Sequence, residues 1–279
     1  MSRPARLLFL SIAALACAAP GPEPARGTPG GAVIGTRLPG THAHNDFERS
    51  RPLFHALERG VASIEVDVAL RDGQLYVTHD TSKIRTDRTL QAEYLDPLRD
   101  LVEANGGSVY EATQPPLQLL IDVKSDADET HSALHALLAE YDPILTRWTG
   151  EDARPGPVAV IVSGNRAIGP IRDEAVRYMG VDGRIYDDRD AVSEALMPLV
   201  SINWDDTIGR GGRWLLEERL ENAERFIAQV HGEGRQVRFW GTPDRADLWR
   251  RLEAVGADYI GADSVDDLHR FAQRRAEPR

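Results

Sequence analysis

Five carboxylates, three histidines and a lysine fall at or beside the ends of strand-like runs in this 279-residue chain. The segments are Thr41-His42-Ala43-His44-Asn45-Asp46, Glu65-Val66-Asp67, His79-Asp80 and Asp122-Val123-Lys124. Glu65 and Asp67 are two apart in a run of small and apolar residues. Strand alternation therefore puts both on one face, with Ile64, Val66 and Val68 on the other. In a barrel strand the carboxylate face is the interior, where two unpaired acids are costly. A metal ion or a set of basic partners must offset them, and a purely structural Arg or Lys network is the plainer alternative. Asp122, closing Leu119-Leu-Ile-Asp, adds a third oxygen ligand. An all-carboxylate site suits a hard cation, Mg²⁺ or Ca²⁺, better than zinc.

His42 and His44 share a face. His44 is followed by Asn45, Asp46 and a turn at a strand end, which marks it as the catalytic histidine. His42 is expected to orient it or a ligand, with Asn45 and Asp46 in the same supporting layer. His55, His131, His135, His231 and His269 fall on helical patterns and carry no assignment. Trp240 either walls the pocket or packs as ordinary core.

The elements that must position these residues alternate. Strand-like runs occur near 40–44, 61–69, 74–79, 117–123, 157–163, 183–186, 198–203, 236–240 and 257–262. Helical patterns occupy 50–59, 89–104, 128–140, 170–179, 190–197, 212–232, 243–255 and 264–275, with Gly60, Gly180 and Gly256 just past three of their ends as stops. Such alternation implies a parallel sheet, here an α/β fold of the TIM-type (β/α)₈ barrel class. The ninth strand has a simple source. Only Arg71, Asp72 and Gly73 separate two strands, too few for a parallel crossover, so 74–79 must double back as a β-hairpin inserted after strand 2. A two-residue turn would put His79 opposite Val66, on the wrong face. A three-residue loop with Gly73 left-handed would pair it with Glu65, and that form is expected.

The N-terminus reads as export. Arg3 and Arg6 precede the apolar run Leu7–Ala16, a signal peptide over 1–17 followed by a Pro/Gly-rich tether over 18–33. The single cysteine, Cys17, follows that run as in a bacterial lipoprotein signal, or is incidental. The domain proper is then 34–279, one barrel in size. A net charge of −11 argues against nucleic acid and anionic lipid as partners. Membrane contact is expected only through a lipid on Cys17, and a periplasmic, membrane-anchored or secreted monomer is expected.

The run from His42 to Asp80 resembles the opening of the glycerophosphodiester phosphodiesterase superfamily, which also includes spider-venom sphingomyelinase D and phosphatidylinositol-specific phospholipase C. His-x-His-Asn-Asp, Glu-x-Asp-Val, Asp-Gly-x-Leu-Tyr-Val and His-Asp most resemble the branch named for fungal "altered inheritance of mitochondria" proteins. Leu119-Leu-Ile-Asp-Val-Lys-Ser125, Phe239-Trp-Gly-Thr-Pro-Asp244 and Gly256-Ala-Asp-Tyr-Ile-Gly-Ala-Asp263 extend the likeness. The resemblance implies a (β/α)₈ phosphodiesterase with His44 and His79 as acid and base. It implies Glu65, Asp67 and Asp122 as metal ligands and Lys124 near the phosphate. Asn45 replaces the arginine of the superfamily's usual His-Arg-Gly, so a phosphate-binding arginine is missing. The substrate implied is a small or lipid-derived phosphodiester. Two rivals remain. An amidohydrolase or PHP-type hydrolase would bind zinc or manganese through His42 and His44, and a non-catalytic barrel lipoprotein would bind a ligand only.

Overall fold

The computed structural model describes residues 34–110, 115–208 and 216–276. The signal peptide and tether expected over 1–33, with Cys17, lie outside the described residues, as do positions 212–215 of one helical pattern.

Strands β1 (Leu38–Ala43), β2 (Val61–Arg71), β3 (Gln74–Val77), β4 (Leu117–Val123), β5 (Arg147–Thr149), β6 (Asp152–Arg154), β7 (Val158–Gly164), β8 (Met179–Gly183), β9 (Leu199–Asn203), β10 (Gln236–Trp240) and β11 (Tyr259–Ala262) follow in chain order. Helices α1 (Phe54–Glu58), α2 (Asp96–Ala104), α3 (Ala127–Ala139), α4 (Ile168–Asp173), α5 (Leu216–Gly232), α6 (Ala246–Ala254) and α7 (Val265–Ala276) fill the crossovers. β1, β2, β4, β7, β8, β9, β10 and β11 pair in parallel, and β1 joins both β2 and β11, closing an eight-stranded barrel. β3 is the expected extra strand. It pairs antiparallel with the far half of β2, whose near half carries the pairing to β1.

Alternation sorts the barrel wall. Ile64, Val66 and Val68 point outward into a core shared with Leu53, Leu57 and Leu98. Inside, Ala62, Leu120, Ile161, Leu199 and Tyr259 form a small apolar plug. Beyond the plug the interior becomes polar, with His42, Ser63, Glu65, Asp67, Ser163, Asp182, Ser201 and Arg238 all buried. Burying so many polar groups is tolerable only if they bond one another.

Three local expectations need correction. The strand expected at 183–186 is Met179–Gly183, and the helix expected at 170–179 ends at Asp173. Gly180 is no helix stop; it makes room for Pro198, whose Cδ would lie 3.0 Å from a Cβ at that position. The helix expected at 190–197 is a single 3₁₀ turn, Arg189–Ala191, so this crossover is an irregular loop. The hairpin takes the two-residue turn, not the three-residue form. Arg71 pairs with Gln74, and Asp72 and Gly73 are both left-handed, at φ 52° and 76°. This is the turn whose twist matches the strands it joins.

Candidate active site

The C-terminal ends of the strands bring most of the predicted residues together, as barrel architecture requires. Neighbouring register on β2 and β4 sets Asp67 opposite Asp122. Glu65, Asp67 and Asp122 each present one oxygen within 4.8 Å of the others, forming one acidic cage. Among the described residues no other group of His, Cys, Asp or Glu has that spacing, and neither His42 nor His44 belongs to it. That arrangement is the opposite of what the amidohydrolase-type reading needs.

The cage is partly compensated from within. Lys124 Nζ lies 2.9 Å from Asp122 Oδ1 and 3.2 Å from Asp67 Oδ2, so the lysine bridges the carboxylates instead of standing apart from them. Burial works against its charge, but the two aspartates outweigh that and hold its pKa above the usual value. Asp67 is pushed up to about 6, chiefly by burial, with Lys124 opposing and Asp122 adding. Its Oδ1 is buried and accepts no hydrogen bond. An oxygen in that condition, beside two further carboxylates, fits a hard cation as its partner.

Glu65 is held differently. Arg238, from β10 across the barrel, donates to Glu65 Oε2 at 2.6 Å, and its Nε donates to Ser201 Oγ at 3.0 Å. Burial pushes the Glu65 carboxyl up, but Arg238 and the His42 hydrogen bond together hold it well below the carboxylate range. His42 is fully buried, with Nδ1 2.7 Å from Ser63 Oγ and Nε2 2.9 Å from Glu65 Oε2. Burial, reinforced by Arg238, lowers its pKa to about 4, so it stays neutral. Arg238 Nη1 lies 2.7 Å from the same Nε2, so the ring packs against the Glu65–Arg238 pair.

The two histidines expected to act as acid and base are both reachable. His44 is 31 % exposed, with Nε2 3.9 Å from Glu65 Oε1 and Nδ1 2.6 Å from Asp263 Oδ1. His79 is 66 % exposed, with Nδ1 2.6 Å from Asp67 Oδ2. The hairpin register alone would turn His79 outward. The ladder instead ends as Thr78 N donates to Asp67 O at 3.0 Å, and the chain bends at His79, bringing the ring back to Asp67, not Glu65.

The remaining predicted residues divide. Trp240 is half-exposed and lines a groove with His44, Arg238, Asp244 and Asp263, a groove whose lining does not include the three carboxylates. Asn45 supplies a left-handed turn, φ 47°, just after His44. Asp46 is buried and accepts from Leu53 N at 2.6 Å and Tyr94 Oη at 2.9 Å. It braces the loop that follows His44 and makes no bond to the cage.

Arg238 and Asp263 are the residues beside the site that strand-end reading did not single out. Arg238 alternates with Val237 and Phe239, which places a guanidinium inside the barrel, where a buried charge calls for a carboxylate partner such as Glu65. Asp263 follows the last strand, so barrel closure alone sets it beside the end of the first.

Gly164 is a fixed point of the site. It has φ 68°, and a Cβ there would fall 2.2 Å from Asp122 Oδ1 and 2.4 Å from Val123 O. Gly164→Ala is expected to displace the Asp122 carboxylate and weaken Ca²⁺ or Mg²⁺ affinity by about tenfold or more, as measured by calorimetric titration.

Comparison with known proteins bears on the family and the fold. The chain is 28% identical over 255 residues to an Altered inheritance of mitochondria protein 6 homolog from Arthroderma benhamiae, covering 81% of each. It is 26% identical over 309 residues to Altered inheritance of mitochondria protein 6 from Kluyveromyces lactis, covering 85% of this chain and 73% of that one. Its fold is similar to a glycerophosphodiester phosphodiesterase from Parabacteroides distasonis, with TM-score 0.57 at 15% identity over 87% of this chain and all of the other. It is also similar to a Ca²⁺-dependent phosphatidylinositol-specific phospholipase C from Streptomyces antibioticus, with TM-score 0.55 at 13% identity over 85% of this chain and 98% of the other. The AIM6-like phosphodiesterase domain matches residues 36–181, more than half of the sequence, and the chain belongs to that family.

Proposed function

We propose that the chain is an exported, metal-dependent phosphoric diester hydrolase using His44 and His79 as acid and base. One observation carries the reading. Two reachable imidazoles, each bonded through Nδ1 to a carboxylate, stand beside a three-carboxylate cage in which one buried oxygen has no hydrogen-bond donor. Glu65, Asp67 and Asp122 would hold the cation, which when bound offsets negative charge on the phosphate. His44 and His79 each keep Nε2 for proton transfer, one taking the nucleophile's proton and the other protonating the leaving alkoxide. Lys124 adds positive charge that the acidic protein otherwise lacks. Export rests on the sequence of residues 1–17, outside the described structure.

The pairing of Lys124 and Arg238 with the cage also favours a second reading, a barrel that binds a ligand without turning it over. Hydrolysis of bis(p-nitrophenyl) phosphate separates the two. The metal-stripped protein is assayed alone and with Mg²⁺, Ca²⁺, Mn²⁺ or Zn²⁺, beside Asp67→Asn. Activity restored by a hard cation and absent in the variant is the expected result. A folded protein inactive with every metal favours the binding role, and zinc-only activity the amidohydrolase type.

Proton competition gives a further check. Asp67 binds its proton below about pH 6, so a cation must displace that proton at acid pH and need not at neutral pH. Ca²⁺ or Mg²⁺ affinity is expected to fall by up to about tenfold per pH unit as pH drops below that value. Titrations at pH 7.5 and 5 measure it, and a flat affinity would remove Asp67 from the ligand set.

A further inference from the structure

His131, His135 and Glu174 take no part in the chemistry above, yet they meet in the outer helical layer. α3 carries His131 and His135 four residues apart, so both rings stand on one face of the helix. Leu134 and Leu138 fix that helix to the core. α4 ends at Asp173, and the extended residue after it, Glu174, brings a carboxylate to both rings. His131 Nε2 lies 3.2 Å from Glu174 Oε1, and His135 Nε2 lies 3.6 Å from Oε2. The second nitrogen of each ring, Nδ1, is buried and has no hydrogen-bond partner. The two ring centroids are 5.8 Å apart.

We infer that His131 and His135 form a second metal site, a two-imidazole chelate for the borderline cation Zn²⁺, with Glu174 as the carboxylate that orients both rings. A carboxylate can only accept, so a neutral ring whose Nε2 faces it carries its proton there and leaves a lone pair on Nδ1. A buried nitrogen lone pair without a donor is costly, and one cation satisfies two of them at once. Histidines at i and i+4 are the helical spacing that binds zinc. Zn–N bonds of about 2.0–2.1 Å set two ligating rings roughly 5–6 Å apart, centre to centre. An Nε2–H turned to a carboxylate is also the usual backing of a metal-bound imidazole. Imidazole donors select a borderline metal, whereas the all-oxygen cage suits a hard one, so the two sites load separately. His131 is only 6 % exposed at its side chain. His135 and Glu174, at 24 % and 34 %, are therefore the side chains that shift to admit the ion. Once bound, the ion ties α3 to the end of α4.

The test titrates the full-length protein with Zn²⁺ by calorimetry in excess Ca²⁺, beside Asp67→Asn, His135→Ala and Glu174→Gln. Wild type and Asp67→Asn should bind one Zn²⁺ with equal affinity. His135→Ala should bind it at least about tenfold more weakly, and Glu174→Gln, which keeps an accepting oxygen, should lose less. Zn²⁺ should raise Tm in the wild type and not in His135→Ala. Nitrogen NMR of ¹⁵N-histidine-labelled wild type reads the ligands with no substitution. The metal-free His131 and His135 rings should carry their protons on Nε2, and Zn²⁺ should shift both Nδ1 signals. Undiminished binding in His135→Ala, no uptake by the wild type, or unmoved Nδ1 signals would overturn the site. Uptake lost in Asp67→Asn would place the ion in the cage and overturn it as well. The diester assay reads none of these outcomes, so the phosphodiesterase reading stands or falls separately.

Discussion

Asp67→Asn is expected to abolish turnover while raising the melting temperature of the metal-free protein. The side chain is fully buried, and burial is the chief cause that lifts its pKa to about 6, against the pull of Lys124. A carboxyl whose folded pKa exceeds its unfolded value favours folding only while protonated. Its contribution is present below about pH 4 and is lost as pH rises through about 6. At neutral pH the ionised form costs about 2–3 kcal/mol relative to the neutral one. An amide of the same shape removes that cost, a gain of about 5 °C in Tm for a domain of this size. The same change deletes the cage oxygen that accepts no hydrogen bond. Loss of the cation's contribution, several kcal/mol, corresponds to roughly 10³-fold or more in rate. Calorimetric melting of stripped protein and the diester assay read the two effects separately. A variant that melts lower and keeps its activity would mean that Asp67 is structural.

His44→Ala and His79→Ala should each lower kcat by about 10²–10⁴-fold, the range for a positioned acid or base, with cation affinity within a few-fold of wild type. Neither ring is deeply buried, at 31 % and 66 % exposed, so neither change opens a large cavity. His79 bonds Asp67 but contributes no atom to the cage, so its loss should leave the ligand set standing. The double variant should fall little further than the worse single one if both histidines serve the same step. Steady-state kinetics beside calorimetric titration of Ca²⁺ checks this. Full activity in either single variant would remove that histidine from the mechanism.

The barrel and cage were legible because their signals are strictly periodic. Glu65 and Asp67 two apart in a β run fix a shared face whatever the rest of the chain does. So few residues between the two runs, Leu70 and Gln74 being only four apart, forbid a crossover. The hairpin's turn was less legible because Gly73 serves both loop lengths. The choice lay with Asp72, which accepts a left-handed conformation as few other residues do. His79 reached the cage through a bend that no register argument contains. Lys124 was expected near a phosphate, and the half-buried ammonium lies within ion-pair distance of Asp67 and Asp122, partners no spacing argument supplies. β8 was misplaced because Gly180 looks like a helix stop when the crowding from Pro198 is unknown. The partners of Glu65 and His44 lie far along the chain, so only closure of the barrel could reveal them.

That closure also orders events at the ribosome. Every cage ligand and both histidines have been translated by the time β4 is complete, long before β11 emerges. A nascent chain at that stage has its acids and bases but no ring to gather and desolvate them. The strand that seals β1 also carries the chain to the carboxylate bonded to His44. Any chemistry the site performs would therefore wait for β11, and a product truncated before that strand would be inert while retaining the residues proposed to do the work.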